Sequence, residues 1–159
     1  MKFIYEWAKS LESTTRIEQL ADLTYDAFFN VDNSNEVNVT LLEMLPFYSR
    51  RKDHFFYVKT LSKHSNPALR AQAIFTLAES YTQSYESEVL DVILGTANDT
   101  NLTVMVRSSQ ACSFLATVST DSKLVQLIIK FCKSGKEKTT ANGIRALGHL
   151  QVEVNPQLE

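Results

Sequence analysis

Two thiols, three imidazoles and one basic, aromatic run are the groups whose chemistry could do more than fill a core. Cys112 and Cys132 sit among apolar residues, where a free cysteine behaves as a small hydrophobe. Two cysteines are too few for a disulfide framework or a four-ligand zinc site. His54, His64 and His149 occupy unrelated positions with no further Cys or His at ligand spacing, so no metal is expected. No Gly-rich phosphate loop is present, and no nucleophile, base and orienter can be grouped. The chain therefore reads as non-enzymatic, with no catalytic residue and no cofactor. The run FYSRRKDHFFY at 47–57 sets Arg50, Arg51 and Lys52 among five aromatics. Such a basic patch can neutralise phosphates or an acidic peptide while its rings stack. The plainer reading makes Phe55 and Val58 core and leaves the triplet as a solvated helix start.

The elements that must carry these groups follow from composition and spacing. Of 159 residues 44% are apolar and 21% charged, enough for one domain that folds without staples. Only 4 Gly and 3 Pro occur, too few for the turns of a sandwich, barrel or alternating fold, so an all-α domain is expected. A net charge of −2 argues against nucleic acid and anionic membranes as partners. The opening MKFIYEWAKS lacks the apolar core of a signal peptide. The longest apolar stretches, near Phe55 to Val58 and Leu124 to Ile129, fall far short of the roughly 20 residues a spanning helix needs. A cytoplasmic protein is expected, with the nucleus open as a second setting.

Apolar residues recur at spacings of three and four almost throughout. Phe3, Ile4, Trp7, Ala8 and Leu11 mark a first helix; Ser13 and Thr14 cap a second through Phe28. A third runs from about Glu36 to Leu45 and breaks at Pro46; a fourth carries Phe55, Val58 and Leu61. Asn66 before Pro67 is a strong start for a fifth, to about Tyr81. Ser84 or Ser87 opens a sixth, and a seventh spans Val104 to Val118. Asp121 caps an eighth that Gly135 terminates, and a ninth reaches Leu150.

A period appears when these helices are laid under one another. Leu41, Leu42 and Leu45 match Ala73, Ile74 and Leu77, then Ala111, Cys112 and Leu115, then Gly143, Ile144 and Leu147. Stacked helical hairpins repeat in this way, each burying its apolar face on the next, and the small leading residue allows close approach between hairpins. The segments LRAQAIFTLAES, MVRSSQACSFLATV and TTANGIRALGHL resemble the second helix of HEAT repeats, the last with its ALGHL ending intact. The family's arginine at the start of that helix is present only as Arg70; Ser108 and Thr140 stand at the equivalent places.

The resemblance implies a right-handed α-α superhelix of about four HEAT-like hairpins, or a fragment of a longer solenoid. Residues 1–13 would form a covering helix, 14–48, 49–83, 84–119 and 120–150 the hairpins, and 151–159 a tail. Leu158 and Glu159 match what a cloning site leaves before a tag. It also implies a scaffold or adaptor that binds a protein, as an extended peptide, on the concave face of the second helices. One residue before each core row stand Thr40, Gln72, Gln110 and Asn142, similar to the asparagine ladder with which armadillo-type solenoids hold peptides. Phe75, Arg145 and His149 are expected to add specificity. The alternatives are a HEAT-like enzyme, of the DNA glycosylase or bilin lyase kind, and a nucleic-acid binder acting through the basic blocks.

Charge falls in blocks along the chain. Residues 1–49 sum to −5, 50–70 to +5, 71–122 to −5 and 123–145 to +5. The expectation is that neighbouring first helices pair opposite charges and so fix repeat order.

Overall fold

The computed structural model describes residues 35–44 and 52–150, together with the single positions 19, 23 and 26. The described residues are all-helical, with seven helices and no strand among them. These are α1 (Asn35–Met44), α2 (Lys52–Leu61), α3 (Pro67–Tyr81), α4 (Glu86–Thr96), α5 (Leu102–Leu115), α6 (Ser122–Cys132) and α7 (Glu137–His149). The expected first helix, the break at Pro46, Arg50, Arg51 and the tail lie outside the described residues, as does most of the second helix.

Side-chain caps set most of the helix starts. The Asn66 carboxamide oxygen accepts from the N–H groups of Ala68 at 2.8 Å and Leu69 at 3.4 Å, and Pro67 occupies the first turn of α3. Asn101 does the same for α5, accepting from Thr103 at 2.9 Å and Val104 at 3.4 Å. Asp121 accepts from the Lys123 N–H at 2.7 Å at the start of α6. After α6 the chain turns through Gly135 at φ 68°, a left-handed conformation that glycine adopts without a Cβ penalty. The start of α4 differs from expectation. Neither Ser84 nor Ser87 caps it; Tyr85 holds the N-cap position without a side-chain bond. Its ring instead stacks on Phe55 of α2, centroids 4.0 Å apart, so packing rather than capping aims α4. Glu86 and Glu88 then set negative charge against the exposed N–H groups of the first turn. The helix expected to reach Val118 ends at Leu115, and Val118 is 43% exposed.

The helices arrange in two rows. In the odd-numbered row α1 packs on α3, α3 on α5 and α5 on α7, each along an extended seam. The even-numbered helices pack on their successors, α2 on α3, α4 on α5 and α6 on α7, while α4 touches α6 only lightly. Phe55, Ile74, Leu77, Ile93, Leu115, Leu124, Ile128 and Phe131 fill the space between the rows and are fully buried. Each contributes roughly 1.5–3 kcal/mol of burial.

The expected core rows hold for Ala73, Ile74 and Leu77 and for Ala111, Cys112 and Leu115, all wholly buried. They fail on α7, where Ile144 is 59% and Leu147 46% exposed. The two earlier rows are covered by the next odd helix, and among the described residues none follows α7. Gly143 also acts differently from expectation. A Cβ there would stand 2.7 Å from the Cys132 nitrogen and 3.0 Å from the Phe131 carbonyl carbon. The glycine thus permits close approach of α6 and α7 within one pair, rather than between pairs.

Candidate functional site

The four polar residues preceding the core rows meet different fates. Gln72 is nearly buried, and its amide donates to the Thr76 hydroxyl at 3.4 Å; that hydroxyl donates to the Leu42 carbonyl of α1 at 3.0 Å. Asn142, also buried, donates to the Val106 carbonyl at 3.3 Å and the Ser109 hydroxyl at 3.1 Å on α5. Its carbonyl accepts from Arg145 at 3.0 Å. Asn142 thus bonds directly across the α5–α7 seam, whereas the α1–α3 seam is crossed by the Thr76 hydroxyl, which Gln72 supports from its own helix. Gln110 and Thr40 are half-buried, and the Gln110 carbonyl accepts from Arg107 at 3.0 Å. Placing an amide in a seam is economical, because it meets the backbone and hydroxyl groups that close helix packing would otherwise strand.

The structure gathers a different cluster over the α3–α5 seam. Phe75 meets Phe114 edge to face, with ring centroids 5.5 Å apart. Arg107 lays its guanidinium over the Phe75 ring, 4.7 Å from the centroid, while bonding Gln110. Phe75, Arg107, Gln110 and Phe114 are all half-buried, each held by a neighbour yet open on one side. Glu79 lies one helical turn from Phe75. Partial burial pushes its carboxyl above the ordinary range, and the positive charge of Arg107 pulls it back down. A shallow depression bordered by Glu79, Gln83, Phe114, Thr117 and Val118 continues from the cluster. Arg145 and His149 are exposed further along the row on α7.

Phe75 was expected in this surface; Arg107 and Phe114 were not. Both stand one turn from Gln110, at i−3 and i+4, so helical spacing already put them on its face. What spacing does not disclose is that Arg107 reaches back across the seam to Phe75.

The basic residues serve local ends. Lys52 lies over the Phe56 ring at 5.8 Å and Lys59 over the Phe55 ring at 5.7 Å. Lys130 donates to the Asn98 carboxamide and Lys136 to the Met105 sulfur at 3.3 Å. Among the described residues Glu86, Glu88 and Asp91 of α4 form no ion pair with Lys123, Lys130 or Lys133 of α6, so the expected alternation of opposed first helices is not built from contacts between them. One ion pair does cross between successive turns. Arg70 at the start of α3 grips Asp99 in the α4–α5 turn, Nε to Oδ2 at 3.0 Å and Nη2 to Oδ1 at 3.2 Å. At the equivalent places Ser108 bonds the Thr96 hydroxyl at 3.0 Å and Thr140 the Ser134 hydroxyl at 3.2 Å, both inside their own helical pair.

His54 is buried within α2, and the His64 ring accepts from the Asn66 N–H at 3.0 Å. Both cysteines are free thiols, and burial pushes Cys112 up to about 12. Among the described residues no group of three or more His, Cys, Asp or Glu converges as metal ligands would, and no helix is long and apolar enough to cross a membrane. No protein-family profile, curated protein or solved structure matches this chain.

Proposed function

We propose that this chain is a short α-solenoid of HEAT-like hairpins, working as a non-enzymatic scaffold. An extended segment of a partner protein lies along the concave face of α3, α5 and α7. The row of odd-numbered helices, each seamed to the next, is the support such a surface needs. The cluster of Phe75, Arg107, Gln110 and Phe114 carries the reading. Its rings are locked by edge-to-face and cation–π contacts and present a half-open apolar surface at little entropic cost on binding. The Gln110 side chain offers amide N–H donors to a peptide backbone, and Arg145 supplies a cation for an acidic partner side chain. Gln72 and Asn142 support this surface from the seams. A cytoplasmic setting goes with the two free thiols.

The test is selection of binding peptides on the full chain, followed by titration at low and high salt. The reading expects Phe75→Ala to weaken a selected peptide about tenfold or more. The circular dichroism spectrum should keep its helical form, and affinity should change little with salt. Retention on nucleic acid at low salt, with no peptide selected, would instead favour a nucleic-acid binder and overturn it.

A further inference from the structure

The α4–α5 and α6–α7 turns are built alike and charged differently. Asn101 holds the N-cap of α5, and two residues earlier the Asp99 carboxylate accepts the Asn101 N–H at 2.8 Å. Lys136 holds the N-cap of α7, and two residues earlier the Ser134 hydroxyl accepts the Lys136 N–H at 3.3 Å. A hydroxyl thus replaces the carboxylate. The preceding odd helix changes in step. Four residues after its own cap α3 offers Arg70, which grips Asp99; four residues after its cap α5 offers Met105, whose sulfur lies 3.3 Å from the Lys136 ammonium. Between the two turns opens a cleft of about 500 Å³, with Ala97 and Met105 in its apolar lining. Lys130, Lys133 and Lys136 border it, all three exposed. Lys130 and Lys136 bond neutral groups, the Asn98 carboxamide and the Met105 sulfur, and among the described residues none of the three ammoniums pairs with a carboxylate. Glu137, next in the chain, borders a separate depression with Leu102 and Val106.

We propose that this cleft binds an organic phosphate monoester, with the phosphate between the three lysines and the apolar body over Met105. A monoester carries about −1.5 to −2 charges at neutral pH and three acceptor oxygens, one for each ammonium. A carboxylate would bring a single charge against three. Lysine binds phosphate as a point charge, and its methylene stem adds apolar wall while the head stays at the rim. The volume falls within the range of about 300–1,000 Å³ typical of small-molecule sites, where an apolar floor under a few polar groups orients the ligand. A single strand of nucleic acid would need exposed rings on which to stack, and Phe131, the aromatic residue lining this cleft, is 1% exposed. The site shares no residue with the Phe75 cluster, so it stands independently of a peptide bound there.

Phenyl phosphate titrated into the isotope-labelled full chain, with amide shifts read by nuclear magnetic resonance, tests this. Saturable shifts are expected at Asn98, Met105 and Lys133, with a dissociation constant of about 0.1–3 mM and with inorganic phosphate and benzoate each at least about threefold weaker. Lys133→Gln, at an exposed side chain, should weaken phenyl phosphate about three- to tenfold. Lys123→Gln removes the same charge from the first turn of α6, outside the cleft, and should leave binding unchanged. Affinity should fall as pH drops from about 7 to about 5, because the phosphate takes up a proton near pH 6. No saturable shift up to about 10 mM would overturn the proposal. So would equal losses from the two variants, which mark diffuse charge attraction, or a short single-stranded DNA that displaces phenyl phosphate and shifts Lys123 as strongly as Lys133, which marks a nucleic-acid face.

Discussion

Replacing Arg70 with Met keeps most of the aliphatic bulk and removes the one ion pair tying the start of α3 to the α4–α5 turn. The guanidinium makes four bonds: two to Asp99, at 3.0 and 3.2 Å, one to the His64 carbonyl at 2.9 Å and one to the Ser65 carbonyl at 2.8 Å. The two side chains are 19% and 15% exposed. A fully exposed pair contributes about 0–1 kcal/mol and a fully buried pair loses about 3–5 when one partner is deleted. This pair sits between, with water able to reach the abandoned carbonyls, so Arg70→Met should cost about 2 kcal/mol. Urea unfolding followed by circular dichroism reads that loss, and for a chain of this size it lowers Tm by about 4–8 °C. A cycle with Asp99→Asn should show coupling of about 1 kcal/mol. The pH dependence adds a sign. Burial alone would raise the Asp99 carboxyl, but the bonds from Arg70 and the Asn101 N–H outweigh it and hold the group below its ordinary value. A carboxylate depressed in the folded state adds stability that is complete above its unfolded pKa and lost as pH falls through the folded one. The gap between wild type and Arg70→Met should accordingly narrow in acid. A cost under about 0.5 kcal/mol, coupling near zero, or a gap that widens below the usual carboxylate range of about 4 would refute the reasoning.

Gly143→Ala should destabilise by about 1–3 kcal/mol, because the added methyl meets backbone of α6 at 2.7 and 3.0 Å rather than a movable side-chain end; an unchanged urea midpoint would show that the two helices separate freely. Thiol titration with a disulfide reagent should label half-buried Cys132 in the native protein and Cys112 only as the chain unfolds, since Cys112 is wholly buried and its thiolate strongly disfavoured. Simultaneous labelling of both would contradict that packing.

Local signals in the chain were legible where one residue type suffices. Asn66 before Pro67, Asp121, and Gly135 each do in the structure what their chemistry dictates. The start of α4 was not legible, because the Tyr85 ring answers to Phe55, thirty residues earlier. The repeating core rows were readable from period alone, yet period carries no information about what covers a row; Ile74 and Ile144 are equivalent in sequence and opposite in exposure. The polar ladder shows the same limit. Helical spacing put Gln72 and Asn142 on one side of their helices, and only the tight seams decide that both are buried and that the Asn142 amide bonds the neighbouring helix. The grouping of Arg107 and Phe114 with Phe75 is not legible in the sequence, because Phe75 lies on another helix, distant in the chain.

The two rows of helices differ in how they are joined. The odd row is seamed from α1 to α7 by side-chain packing, with hydrogen bonds from Thr76 and Asn142 across two of its seams, whereas α4 and α6 barely meet. A body knitted along one side and loosely joined along the other has its neutral axis near the knitted side. The distances between successive odd-row side chains are thereby held more firmly than those between α4 and α6.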